Sequence, residues 1–143
     1  MPFQLSDALV NPVAVALSTA SASVYTTGID TGNYTVGPGE NGDVLFEGEF
    51  LISGPVLNTT QLPDTRTITY NVQASTESTF ASPTYIYKTV LLQTGASSAG
   101  AAAATARFRL PTNCPEFIRV EAASGASVGA SATTSSFTLK IQL

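Results

Sequence analysis

The chain has 143 residues, 11% of them charged and 43% hydrophobic, with a net charge of −4 and a mean hydropathy of +0.20. That length suits one domain around one core, and this hydrophobic share excludes an intrinsically disordered chain. With no histidine, no tryptophan and one cysteine, the composition excludes a Ser-His-Asp or Cys-His nucleophile pair, an internal disulfide and a Cys/His zinc cage; the few Lys and Arg argue against nucleic acid and anionic membranes as partners.

Much of the remainder is small and uncharged, with 20 Thr, 19 Ala and 15 Ser. Residues 1 to 65 hold seven acidic and no basic side chains, whereas residues 66 to 143 hold three acidic and six basic. On separate faces this asymmetry favours head-to-tail contacts between copies; interleaved strands mix the signs instead.

In chain order, Ala8 to Ala22 has the composition of a secretory leader, but no positive charge precedes it and Asn11-Pro12 interrupts the apolar run. It reads as the first strands, 12 to 17 (Val13, Val15, Leu17) and 22 to 27. No apolar run approaches the ~20 residues of a membrane-spanning helix, so the expectation is a soluble protein made in the compartment where it folds.

Ile29-Asp30-Thr31-Gly32 contains the Asp-Thr-Gly of aspartic proteases, in which paired aspartates share a proton and activate water. Asn33-Tyr34 follows where small or acidic residues are usual, and the tripeptide reads instead as a polar turn. The Gly-rich loop with Glu40, Asn41 and Asp43 offers oxygen ligands to calcium but misses the EF-hand spacing. In residues 43 to 53, Val44, Phe46, Phe50 and Ile52 share a face, Gly48 marks a bulge or close approach, and Glu47 and Glu49 lie opposite. Two carboxylates at this spacing, roughly 7 Å apart along a strand, suit glycoside hydrolysis or a divalent ion; a solvated strand face is the simpler reading. Asn33-Tyr34-Thr35 and Asn58-Thr59-Thr60 match the glycosylation acceptor pattern, which Thr-rich chains also produce by chance.

Residues 65 to 74 alternate best. Arg66, Ile68, Tyr70, Val72 and Ala74 fall on one side, against Thr65, Thr67, Thr69, Asn71 and Gln73, which predicts a half-buried strand. The 84 to 93 segment places Tyr85 and Tyr87 on one face, a small stacking platform for a sugar. The Ala-rich run 99 to 106 reads as a loop, because Gly95, Ser97, Ser98 and Gly100 flank it. Strands follow at 105 to 110 (Ala106, Phe108, Leu110 against Arg107, Arg109) and 116 to 122 (Ile118, Val120). Cys114 sits between them in a Pro-rich loop, and with no histidine to activate it reads as packing. At the end Phe137, Leu139, Ile141 and Leu143 alternate with Thr138, Lys140 and Gln142.

About eight short strands and frequent Gly/Pro turns predict an all-β antiparallel β-sandwich, a jelly roll occupying residues 1 to 143, with an immunoglobulin-like sandwich as the alternative.

Certain fragments follow one another in order along almost the whole chain. They are Leu5-Ser6-Asp7 before the first strand, Ile29-Asp30-Thr31-Gly32, Tyr70-Asn71-Val72-Gln73-Ala74-Ser75 leading into Phe80-Ala81-Ser82-Pro83, Phe108-Arg109-Leu110-Pro111, Phe117-Ile118-Arg119-Val120 and a closing Thr/Ser-rich strand. Taken together they resemble the small jelly-roll capsid cement (decoration) proteins of tailed bacteriophages. The sequence departs from that pattern at Gly37 to Gly42 and in the Asn58 to Asp64 loop. The resemblance implies a non-enzymatic protein without cofactor or metal, made in the host cytoplasm and carried on the outer surface of the phage head. There it would be a homotrimer bridging subunits of the major capsid protein. It also implies that Asp30 is a turn residue. The apolar N-terminal segment, with Phe3, Leu5, Leu9 and Val10 within residues 1 to 10, reads either as a capsid- or neighbour-contacting arm or as a strand edge tucked onto its own core. The alternative function is a carbohydrate- or receptor-binding β-sandwich module on a virion or cell surface.

Overall fold

A computed structural model describes residues 13–31, 49–111 and 114–142. The proposed contact arm with Phe3, Leu5, Leu9 and Val10, the Glu40 to Asp43 loop, Glu47 and the Asn33 acceptor all lie outside the described residues. Within them the alternating segments form nine strands: β1 (Val13–Ala16), β2 (Ser23–Tyr25), β3 (Ile29–Asp30), β4 (Glu49–Gly54), β5 (Thr67–Ser75), β6 (Thr84–Thr94), β7 (Ala104–Phe108), β8 (Phe117–Ser124) and β9 (Ser136–Gln142). One short 3-10 helix, Ala130–Thr134, precedes β9.

All pairings between these strands are antiparallel, in two sheets ordered β1-β9-β4-β7 and β2-β8-β5-β6, with β3 also on β8. Since β2 and β3 lie along the same partner, they are two pieces of one edge strand. Counted so, there are eight strands, ordered first-eighth-third-sixth and second-seventh-fourth-fifth. This is the double Greek-key wrap of a jelly roll, not the immunoglobulin arrangement. The break between β2 and β3 has a local cause. The Val120 N–H donates to the Thr26 side-chain hydroxyl (3.0 Å) while the Thr26 N–H donates to the Val120 carbonyl (2.9 Å), so a side chain replaces a backbone group in the ladder.

The core lies between the sheets. Phe50, Ile52, Phe137, Leu139 and Ile141 fill it from one side, and Ile68, Tyr70, Val72, Ile118 and Val120 from the other, all essentially inaccessible. Full burial of each large apolar side chain contributes about 1.5–3 kcal/mol. Tyr70 and Phe137 meet edge to face across the core at 5.4 Å, and Phe50 stacks on Phe108 at 5.1 Å. One polar group inside is fully employed. The Gln93 amide donates to the carbonyls of Pro55 (2.8 Å) and Ala102 (3.0 Å), and its oxygen accepts from the Tyr70 hydroxyl (2.7 Å). Gly54 makes room for this pair, since a Cβ there would lie 2.5 Å from the Gln93 oxygen.

Four expectations are corrected. β5 is half-buried only at its start, because Asn71, Gln73 and Ser75 on its second face are also buried. Asp30 pairs with Phe117 in β3 and is not a turn residue. The Ala-rich run is a loop only as far as Ala103, and β7 begins at Ala104. Tyr85 and Tyr87 do not share a face: Tyr87 pairs with inward Val72 and Tyr85 with outward Gln73, because the bulge between them shifts the register.

Candidate functional site

The outer face of the β2-β8-β5-β6 sheet carries the densest chemistry. Alternation along β8 turns Ile118, Val120 and Ala122 inward and Arg119 and Glu121 outward. Register then places Arg119 beside Gln73 and Glu121 beside both Asn71 and Tyr25. These polar groups do not face open water, since Asn71, Gln73 and Glu121 are all buried. Burying polar groups in this way is costly unless each is hydrogen-bonded, and here each is. The Glu121 carboxylate accepts from the Asn71 amide (2.8 Å) and from the Tyr85 hydroxyl (3.0 and 3.1 Å). The Asn71 oxygen accepts from the Thr89 N–H at 2.8 Å. Desolvation, together with the facing Glu121 and against the opposing pull of Gln73, raises the Tyr85 hydroxyl above its ordinary value, so it stays a donor at neutral pH.

Arg119 occupies the centre of a second cluster. Its Nε donates to the Gln73 oxygen at 2.8 Å, and its guanidinium lies 3.9 Å from the Tyr25 ring centroid and 4.4 Å from that of Phe80. Cation–π contacts of this kind contribute about 0.5–2 kcal/mol. Phe80 arrives from the β5–β6 connection with φ 52°, a left-handed conformation that is strained for a bulky side chain. Its ring fits because Gly28, at the break between β2 and β3, has no Cβ; one there would lie 2.7 Å from the Phe80 ring. Thr89, also left-handed at φ 54°, sits in the β6 bulge and presents its N–H to Asn71. Two left-handed residues on different elements thus hold one face. Tyr25 and Tyr85 leave 40% and 44% of their surfaces exposed, and Lys88 stands 5.0 Å over the Tyr85 ring.

The positions singled out in the sequence are dispersed. Glu49 spends its carboxylate on Arg109 (3.1 Å) and, at 4.0 Å, Arg107, on the outer face of the other sheet. Asp30 meets Glu116, whose carboxyl is held above the usual range by desolvation, then by the charge of Asp30 and a hydrogen bond to it. Thr31 is tied to the Glu116 carbonyl through both its N–H (2.8 Å) and its hydroxyl (2.6 Å). Asn58 caps a turn, its oxygen accepting from the Gln61 N–H at 2.9 Å. Cys114 is half-buried against the core, and burial pushes its thiol up to about 11. The Tyr87 hydroxyl donates to the Arg109 carbonyl (2.7 Å), so only Tyr85 of the two tyrosines belongs to the outer surface. Among the described residues no three His, Cys, Asp or Glu side chains gather to hold a metal ion.

Reading β8 with period 2 puts Arg119 and Glu121 on one outer face. What sequence alone does not supply is the cover of Tyr25, Phe80 and Tyr85, which comes from three separate segments. Comparison with protein-family models, with curated proteins and with solved structures finds no match for this chain.

Proposed function

We propose that this chain is a capsid cement (decoration) protein: a non-enzymatic homotrimer, made in the host cytoplasm, that binds the outer surface of a tailed-phage head and bridges major capsid protein subunits. The observation that carries this reading is the strand order, β1-β9-β4-β7 against β2-β8-β5-β6. It is the jelly-roll wrap that the resemblance implies, and two of the fragments behind that resemblance, Tyr70 to Ser75 and Phe117 to Val120, form parts of β5 and β8.

The physical chemistry suits the role. Three copies joined by heterologous contacts close a ring, and a trimer gripping several capsid subunits at once sums modest contacts through effective concentration. The outer face of the first sheet presents Ala14, Ser53, Thr105, Ser136 and Thr138 in register. Such short side chains lose little entropy when they dock flat. Phe3, Leu5, Leu9 and Val10 would extend the contact as an arm.

Light scattering of the purified protein and co-sedimentation with expanded and unexpanded heads test the reading. Trimers that pellet with heads are expected, and monomers that ignore heads overturn it. The exposed Tyr25 and Tyr85 around Arg119 favour a second reading, a carbohydrate- or receptor-binding module. Glycan-array binding without head binding would put that reading first.

A further inference from the structure

The Arg119 guanidinium is fixed by three partners, yet most of its donors are unused. Of its five N–H donors, Nε is spent on Gln73, and among the described residues neither Nη group meets an acceptor and no carboxylate pairs with it. The Tyr25 and Phe80 rings and the Gln73 hydrogen bond have already frozen the side chain, so little rotamer freedom remains to be lost on binding. What is left is the end-on pair of Nη groups, a planar fork whose spacing matches the two oxygens of a carboxylate.

The surroundings select among anions. Glu121 stands two residues along the same strand face, roughly 7 Å away by strand geometry. Its charge is held by the neutral donors Asn71 and Tyr85 and not by Arg119. A dianionic phosphate beside it is repelled about twice as strongly as a singly charged carboxylate. Tyr and Arg side by side, partly exposed over a desolvated layer, form the composition of a protein-binding hot spot.

We propose that this face docks a protein partner by seating one Asp or Glu carboxylate on the Nη fork of Arg119, beside the exposed rings of Tyr25 and Tyr85. The inference rests on the capsid reading only for the partner's identity, a major capsid subunit. The carboxylate completes the fork, and the rings exclude water from the pair.

Two measurements test it together. In NMR titrations, a blocked Ala-Glu-Ala peptide is expected to shift the Arg119 Nε–H and the Gln73 side-chain amide. Its Ala-Gln-Ala counterpart is expected not to, and Arg119→Gln abolishes the response. In co-sedimentation, Arg119→Gln lowers affinity for heads by at least about tenfold. Arg119→Lys guards against a folding effect: it keeps the positive charge and the aliphatic stem, so a folded Lys variant that still loses the Glu peptide isolates the fork. Equal shifts from the Gln peptide, no shifts from the Glu peptide, a response to glucuronic acid or inorganic phosphate in its place, or unchanged head affinity of Arg119→Gln would each overturn the inference. Wild-type protein that binds the Glu peptide but ignores heads leaves the carboxylate site standing and removes the capsid reading instead.

Discussion

The two sheets share a core, yet their outer faces are built on different terms. Across β1-β9-β4-β7 the outer residues include Ala14, Thr138, Ser53, Thr105, Leu51 and Lys140, with ion pairs from Glu49 to Arg109 and Arg107, both arginines largely exposed. None of these six residues is buried, so their polar groups need no partner within the protein. Across β2-β8-β5-β6 the outer residues Asn71, Gln73 and Glu121 are as buried as many core residues and depend on one another and on a lid of rings. A face of the first kind tolerates change at any single position; a face of the second kind fails as a unit, because removing one partner strands another.

That contrast can be broken experimentally, most severely at Asn71. Asn71→Ala removes a donor from Glu121 and an acceptor from the Thr89 N–H, and should cost about 2–4 kcal/mol in urea denaturation. Gly28→Ala comes next, at about 1–3 kcal/mol, because the new Cβ collides with the Phe80 ring. The same substitution should move the Arg119 Nε–H resonance, since Phe80 braces that guanidinium. On the other face, Arg109→Ala should cost less than about 1 kcal/mol, with the difference shrinking at high salt, as expected of an exposed pair. Thr138→Ala should stay within about 0.5 kcal/mol of wild type. A Thr138 effect as large as that of Asn71 would erase the distinction.

Cys114 sharpens it from a third direction, since it is shielded by packing alone. The folded state favours the neutral thiol, so its contribution is complete below the ordinary value of 9.0 and is lost as pH climbs through about 11. Iodoacetamide at pH 8 should therefore alkylate native protein much more slowly than urea-unfolded protein, with the native rate rising toward pH 11.

Sequence periodicity was informative wherever one face of a strand meets the core and the other meets water. It places Phe137, Leu139 and Ile141 inward on β9 and separates Phe108 from Arg107 and Arg109 at β7. It fails where a polar residue is buried by something distant. Asn71 and Gln73 look like solvent-facing residues because their cover, Tyr85 and Arg119, arrives from other strands. It fails also where register slips: Tyr85 and Tyr87 have the spacing of neighbours on one face, and a bulge that leaves no compositional trace separates them. It does not mark β3, because two residues, Ile29 and Asp30, are too few to alternate.

The β6 irregularities reach beyond the site. At 11 residues β6 is the longest strand described, and among the described residues it lies at the end of its sheet with β5 as its sole strand partner. A straight, free strand of that length invites another chain to add on, and many proteins discourage it with lysines or prolines along the edge. Here Lys88 is the one charged residue in β6, and no proline lies within it. The two shifts in pairing, opposite Tyr70 to Val72 and Val72 to Gln73, cut the exposed backbone into short stretches that point different ways. In a chain this poor in charge, the kinks that aim Tyr85 outward therefore also guard against fibrous self-association at high concentration.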